Sequence, residues 1–289
     1  MAELVRIAGG SLSAAINPLG AELTSLTDAE ARELMTDADP AFWTGHAPIL
    51  FPIVGRLNGD VLRLDGVEYP MKQHGFARHQ AFDVVAQDAA GATFRLTAND
   101  ETRASYPFDF ALDVRFAIAG AKLEIAVTIA NRGTVAMPAS FGFHPAFAWP
   151  LPYGEPREDH RIVFAADEPG PIKRLADGLV AGDRASPLDG RALHLADTLF
   201  ADDVLIWDPV RSQSVAYGAP SGPSLRIDFP DTPYLGVWTK PGAAFVCIEP
   251  WHGHADPVGF TGDFRDKPGV FTVAPGAAWR CAMAITLQP

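Results

Sequence analysis

Cysteine is nearly absent from this chain: Cys247 and Cys281 are the only two in 289 residues. Two are too few for a disulfide framework, and both lie in apolar runs, so the expectation is a pair of buried thiols in a reducing compartment. Basic charge is also scarce. Twenty-three Lys and Arg stand against 35 Asp and Glu, a net charge of −12, which argues against nucleic acid or an anionic membrane as partner. A few local arginines can still hold an anionic small molecule. No apolar run is long enough to span a bilayer. Met1 to Arg6 carry neither a basic leader nor an apolar core, so the chain is read as cytoplasmic. Missing too are G-x-S-x-G, G-x-G-x-x-G and P-loop patterns, which removes the grounds for a nucleophile elbow or a nucleotide cofactor. There is no fixed-period repeat, no heptad pattern and no low-complexity segment.

Helix signals are few, and period-two alternation fills their place. Phe108, Phe110, Leu112, Val114, Phe116 and Ile118 alternate with polar neighbours that include Asp109, Asp113 and Arg115, the pattern of a half-buried strand. After Ala119-Gly120-Ala121 the alternation resumes at Leu123, Ile125, Val127 and Ile129, which predicts a long antiparallel hairpin. Leu225, Ile227 and Phe229 repeat it. Further strands are expected near 3–7, 11–17, 20–27, 81–86, 92–98, 213–218, 234–239, 244–249, 270–274 and 279–287. Asp28 to Met35 reads either as a short helix or as a turn leading into a strand. Asn99 to Ser105 reads as a single helical turn. Residues 150–200, rich in Pro, Gly, Asp and Arg, read as loops with short strands. The 26 glycines and 25 prolines are spread evenly and suit many tight turns better than a linker. The expectation is all-β: one large antiparallel β-sandwich spanning residues 1–289.

Two stretches place a titratable group among aromatics and ahead of a proline. In Phe141-Gly142-Phe143-His144-Pro145-Ala146-Phe147 the group is an imidazole; in Cys247-Ile248-Glu249-Pro250-Trp251 it is a carboxylate. Proline holds the preceding residue in extended conformation. Imidazole titrates nearest neutrality, and a glutamate in an apolar run needs a partner or a purpose. His144 and Glu249 are therefore expected to face each other across one site. Other stretches are open to a plainer reading. Arg56, closing Pro48 to Gly55, reads on its own as a surface arginine after a buried strand. His74 beside Gly75 reads as a turn histidine. Asp202-Asp203 reads as a solvated turn. His252-Gly253-His254 with Asp256 is a weak metal pattern, because zinc and iron sites need three or more ligands in persistent spacing. Metal-free acid–base chemistry is ranked above it.

Taken in order, these stretches resemble the aldose 1-epimerase (galactose mutarotase) family. The resemblance runs from Asn17-Pro18-Leu19-Gly20-Ala21-Glu22-Leu23 through Pro52-Ile53-Val54-Gly55-Arg56 and His74-Gly75-Phe76-Ala77-Arg78. It continues through Gly142-Phe143-His144-Pro145 and Asp203 to Ile248-Glu249-Pro250-Trp251. It implies a large twisted β-sandwich with a sugar in an open cleft, and no cofactor. It implies that Glu249 is the general base toward the anomeric hydroxyl, that His144 is the general acid toward the ring oxygen, and that His74 polarises that oxygen. It also implies that Arg56 and Asp203 hold sugar hydroxyls. Phe143 and Trp251 are expected to stack on the apolar face of a pyranose. Burial of Glu249 is expected to raise its pKa while its charge keeps His144 protonated. Ala146 stands where the family often has an aromatic, and the sequence after Glu249 resembles a bacterial branch. Two alternatives remain open: a hexose-6-phosphate 1-epimerase, with Arg56 and Arg78 as phosphate ligands, and a non-catalytic carbohydrate-binding protein on the same fold.

Overall fold

The alternation at Phe110–Ala119 and Lys122–Asn131 forms the hairpin it predicts, with Val114 opposite Val127 and Phe116 opposite Ile125. Gly120 makes the turn at φ +63°, a left-handed conformation that glycine adopts without penalty. A computed structural model describes residues 3–289. In it the hairpin is the middle of a nine-stranded antiparallel sheet. Ala278–Gln288 pairs with Lys122–Asn131 along nine residue positions, and Gly91–Thr97 flanks the hairpin's other side.

A second, eight-stranded sheet packs against the first. Its order is Leu179–Arg184, Ile172–Ala176, Leu205–Trp207, Tyr234–Trp238, Phe245–His252, Phe141–Phe143 and Ile49–Leu50, with Ala146–Ala148 as a further partner of Phe245–His252. The two sheets share one apolar core. Leu112, Val114, Phe116, Ile125 and Val127 from the first meet Leu205, Leu235, Val237, Val246 and Ile248 from the second. A three-stranded sheet, Val5–Gly9, Leu12–Asn17 and Glu22–Asp28, adds Ile7, Ile16 and Leu26 to that core. The all-β reading holds, and the residues between 150 and 200 provide edge strands for both sheets.

Three local expectations are settled. Asp28 to Met35 is a turn, because the Asp28 carboxylate accepts from the backbone of Glu30 and Arg32 and pairs with the Arg32 guanidinium at 2.7 Å. Those bonds satisfy the backbone locally and compete with a helix. Asp100–Ser105 is the expected helical turn, capped by Asn99, whose side chain accepts from Thr102 N–H while the Thr102 hydroxyl accepts from Asn99 N–H. Both cysteines are free; Cys247 is fully buried and Cys281 half-buried. Among the described residues no helix is long and apolar enough to cross a membrane.

Candidate active site

The strand Phe245–His252 reads as an unbroken apolar run, yet its side chains divide by parity. Val246 and Ile248 enter the core between the sheets, while Cys247, Glu249 and Trp251 share the opposite face. That face floors a cavity of about 310 Å³, whose walls include Trp43, His74, Arg78, His144, Asp203, Trp238 and Lys240.

The neighbouring edge is interrupted opposite Glu249. Gly142 pairs with Trp251 and Ala146 with Cys247, so the register between them sets His144 against Glu249. Pro145 has no N–H to give; its carbonyl accepts from Ile248 N–H. His144 Nε2 and Glu249 Oε2 stand 3.1 Å apart, with both side chains nine-tenths or more buried. Glu249 Oε2, His144 Nδ1 and Trp251 Nε1 are buried and lack a well-aligned hydrogen bond within the protein. Such orphans at a cavity are unmet capacity for a ligand's hydroxyls.

Burial drives the pKa values of the pair apart. Glu249 is pushed well above the carboxylate range, chiefly by desolvation and then by the charge of Asp203. His144 is pushed down to about 3, chiefly by desolvation, with the Arg78 charge adding to it. These directions place the single proton of the pair on Glu249 and leave His144 neutral. This corrects the expectation of a charged His144: desolvation of the imidazole outweighs attraction to a carboxylate that is itself protonated.

His74 is fixed by its backbone. It sits at φ +67°, and Gly75 follows at φ +71°; a Cβ on Gly75 would lie 2.2 Å from Phe51 O. Gly55 N–H donates to His74 Nδ1 at 3.2 Å, while His74 N–H donates to Gly55 O at 2.9 Å. With Nδ1 accepting, the neutral ring carries its proton on Nε2. Burial, with the positive charge of Arg78 adding to it, holds it well below the usual histidine range. A neutral donor is thus set beside the pair, the two imidazole rings 5.8 Å apart and nearly perpendicular. Left-handed backbone in a non-glycine residue is strain of the kind found at functional sites. Asp203, at φ +77°, is a second case on the same cavity.

Trp251 is held flat by two glycines on the flanking strands. A Cβ on Gly142 would meet its ring at 2.7 Å and one on Gly236 at 2.6 Å. Trp43 and Trp238 stand over His144 at ring distances of 5.1 and 6.0 Å.

The cavity thus gathers Glu249, His144, His74, Asp203 and Trp251. It does not gather the other two residues. Arg56 lies outside the lining, where it holds the Asp60 carboxylate at 2.8 Å and the Asp177 carbonyl. Its i+4 carboxylate captures it. Phe143 turns to the core against Phe141, because its neighbour His144 takes the cavity face and alternation sends it the other way. Of the acidic pair, Asp202 faces Arg184 at 3.6 Å while Asp203 lines the cavity. His252 and His254 diverge, the first onto Trp279 and the second toward Asp208 and Tyr234, and Asp256 pairs with Lys267.

Among the polar and aromatic lining residues, Trp43, Trp238, Lys240 and Gln73 carry no role in the sequence reading. For Trp238 there is a signal, since Tyr234, Gly236 and Trp238 share one face and the central glycine leaves room for a ring. Arg78, weighed only as a phosphate ligand, lines the cavity with its Nε buried and unpartnered.

A sequence model of the family described as Aldose 1-epimerase matches residues 3–267. Protein LacX (plasmid) of Lactococcus lactis subsp. lactis is 34% identical over 276 residues, 91% of this chain and 92% of that protein. Among solved structures, a galactose mutarotase related enzyme from Lactobacillus acidophilus superposes with a TM-score of 0.93 at 32% identity, covering 99% of this chain and 98% of that one. A galactose mutarotase-like protein from Lactobacillus casei gives a TM-score of 0.91 at 31% identity, covering 99% of this chain and all of the other.

Proposed function

The chain belongs to the aldose 1-epimerase family, and on that premise we propose that it interconverts the α and β anomers of an aldose through the acid–base pair Glu249 and His144. The observation that carries the reading is the 3.1 Å contact between His144 Nε2 and Glu249 Oε2 on the floor of the cavity. Anomer exchange already proceeds in water, and a positioned acid or base contributes roughly 10²–10⁴-fold, so two such groups suffice.

In the reacting form Glu249 is a carboxylate and His144 an imidazolium, reached from the resting pair when one proton crosses from Oε2 to Nε2. Sugar hydroxyls that donate to the carboxylate favour this form, since hydrogen bonds to a charged group stabilise it. Glu249 then takes the proton of the anomeric hydroxyl and His144 gives one to the ring oxygen. The bond between C1 and the ring oxygen breaks, leaving an open-chain aldehyde. Rotation about C1–C2 presents the other carbonyl face, and closure returns both protons. His74 donates from Nε2 toward the ring oxygen, Asp203 accepts from a sugar hydroxyl, and Trp251 lies under the apolar face of the ring.

The test is polarimetry, or exchange spectroscopy, on a freshly dissolved aldose with and without the protein. Acceleration supports the reading. Sugar binding without acceleration across a panel of aldoses favours the competing class, a carbohydrate-binding protein, which has no need of a paired acid and base.

One observation favours a second reading, a phosphorylated aldose. Arg78 and Lys240 both line the cavity, in a chain where acidic residues outnumber basic ones by 12. A guanidinium and an ammonium bordering one cavity suit a phosphate. Phosphorylated and free aldoses in the same assay separate the two readings.

A further inference from the structure

Beneath the acid–base pair lies a third group that the sugar chemistry leaves idle. Cys247 shares a strand face with Glu249, two residues away, and pairs across the sheet with Ala146 and Trp238. Its Sγ, a ring nitrogen of His144 and a carboxylate oxygen of Glu249 all lie within 4.8 Å of one another, and all three residues are buried. Glu249 Oε2, 3.1 Å from His144 Nε2, lacks a well-aligned hydrogen bond within the protein. His144 and Glu249 also border the cavity, which leaves a path for an ion to enter.

Zinc binds thiolate sulfur at about 2.3 Å and imidazole nitrogen or carboxylate oxygen at roughly 2.0–2.2 Å. Donors around a tetrahedral ion of that size stand roughly 3.3–3.8 Å apart. His144 and Glu249 are already at 3.1 Å, and the widest separation closes with a shift on the order of 1 Å, within reach of side-chain rotation. A mixed sulfur, nitrogen and oxygen set disfavours Mg²⁺ and Ca²⁺, which take oxygen ligands, and suits zinc and its neighbours.

We propose that Cys247, His144 and Glu249 form a three-ligand site for a thiophilic divalent cation such as Zn²⁺, with a fourth position open to the cavity, and that the bound ion silences the site. Bound metal takes the lone pairs that the acid and base need, and its fourth ligand position occupies the space where the anomeric carbon would lie. The binding half rests on geometry alone; the inhibition half rests on the acid–base reading above.

The experiment uses metal-free full-length protein, titrated calorimetrically with Zn²⁺ and, separately, spectroscopically with Co²⁺. The expected result is one ion per chain and a thiolate-to-cobalt absorption band. That band disappears in Cys247→Ser and Cys247→Ala and persists in Cys281→Ser. In the anomerisation assay Zn²⁺ inhibits in competition with sugar, and the Cys247 variants need at least tenfold more zinc for half-inhibition. Thermal unfolding of both variants confirms that they are folded. Absence of stoichiometric binding, or a band and zinc affinity unchanged in the Cys247 variants, overturns the site. Binding with the band but undiminished anomerisation overturns the inhibition. Binding with the band in a protein that accelerates no aldose upholds the site while the reading of Glu249 and His144 as catalysts fails.

Discussion

His144 Nε2 lies 3.1 Å from Glu249 Oε2 across a gap in the sheet, where the neighbour of the Glu249 strand passes from Gly142 to Ala146. The sheet itself sets this contact through register, so the pair is preorganised by backbone rather than by a mobile loop. Two buried groups at this distance titrate as a unit.

The first consequence concerns the pH dependence of activity. With His144 lowered to about 3 and Glu249 raised by burial, the pair keeps one proton from about pH 3 to well above the usual glutamate range. Activity is therefore expected to be flat through 4.5, the ordinary glutamate value, with no step there. A profile of kcat/KM against pH checks this, and a midpoint between 4 and 5 contradicts it.

Stability follows the same proton with opposite consequences for the two residues. Glu249 keeps its proton in the fold at a pH where the unfolded chain has lost it, so its contribution falls as pH rises from the unfolded value of 4.5 toward the raised folded one. His144 is the reverse: the unfolded chain binds a proton below 6.5 that the fold takes up only at about 3, so stability falls as pH falls through that window. Gln mimics the neutral carboxyl and cannot ionise. Glu249→Gln is thus expected to gain in melting temperature over the parent as pH goes from 5 to 8. Thermal melts at both values decide it; a gap that shrinks with rising pH contradicts the assignment.

The glycines beside Trp251 give a packing prediction. Gly236→Ala places a methyl 2.6 Å from the indole, a separation that forces the ring off its floor. Overpacking of this kind costs roughly 1–3 kcal/mol. Denaturant unfolding is expected to show that loss, and the same variant is expected to raise KM for sugar because the cavity floor tilts.

His74 offers a separation of activity from stability. At φ +67°, Gly is the residue best suited to the backbone, which offsets the loss of the imidazole's packing. His74→Gly is expected to stay within about 1 kcal/mol of the parent in stability while losing on the order of 10²-fold in kcat. Unfolding curves and steady-state rates measured on the same preparation check both halves.

Much of this was legible in the residue pattern, for physical reasons that also mark its limits. The alternation from Phe110 to Ile118 and from Leu123 to Ile129 reports a half-buried surface, and the sheet follows it closely. Proline after both His144 and Glu249 signalled extended backbone, and the register brings the two together. Parity was the step the pattern obscured at Phe143: in an all-buried stretch, Phe141 to Phe147, composition does not reveal which face is core and which is cavity. Arg56 was drawn away by Asp60, four residues on, a pairing that only the turn at Asn58–Asp60 makes certain. The hairpin Val61–Leu64 and Val67–Pro70 went unread although Asp65-Gly66, at φ +51° and +78°, is a strong turn pair. Trp43 and Lys240 reach the cavity from segments outside any strand, with no periodicity to announce them.

The measurement that tests the central claim most directly is the rate of anomer exchange in freshly dissolved aldose with the parent protein and with Glu249→Gln. The account predicts that the parent accelerates exchange and that the folded variant loses on the order of 10²-fold or more while still binding sugar. A Glu249→Gln protein that exchanges anomers at the parent rate would contradict it.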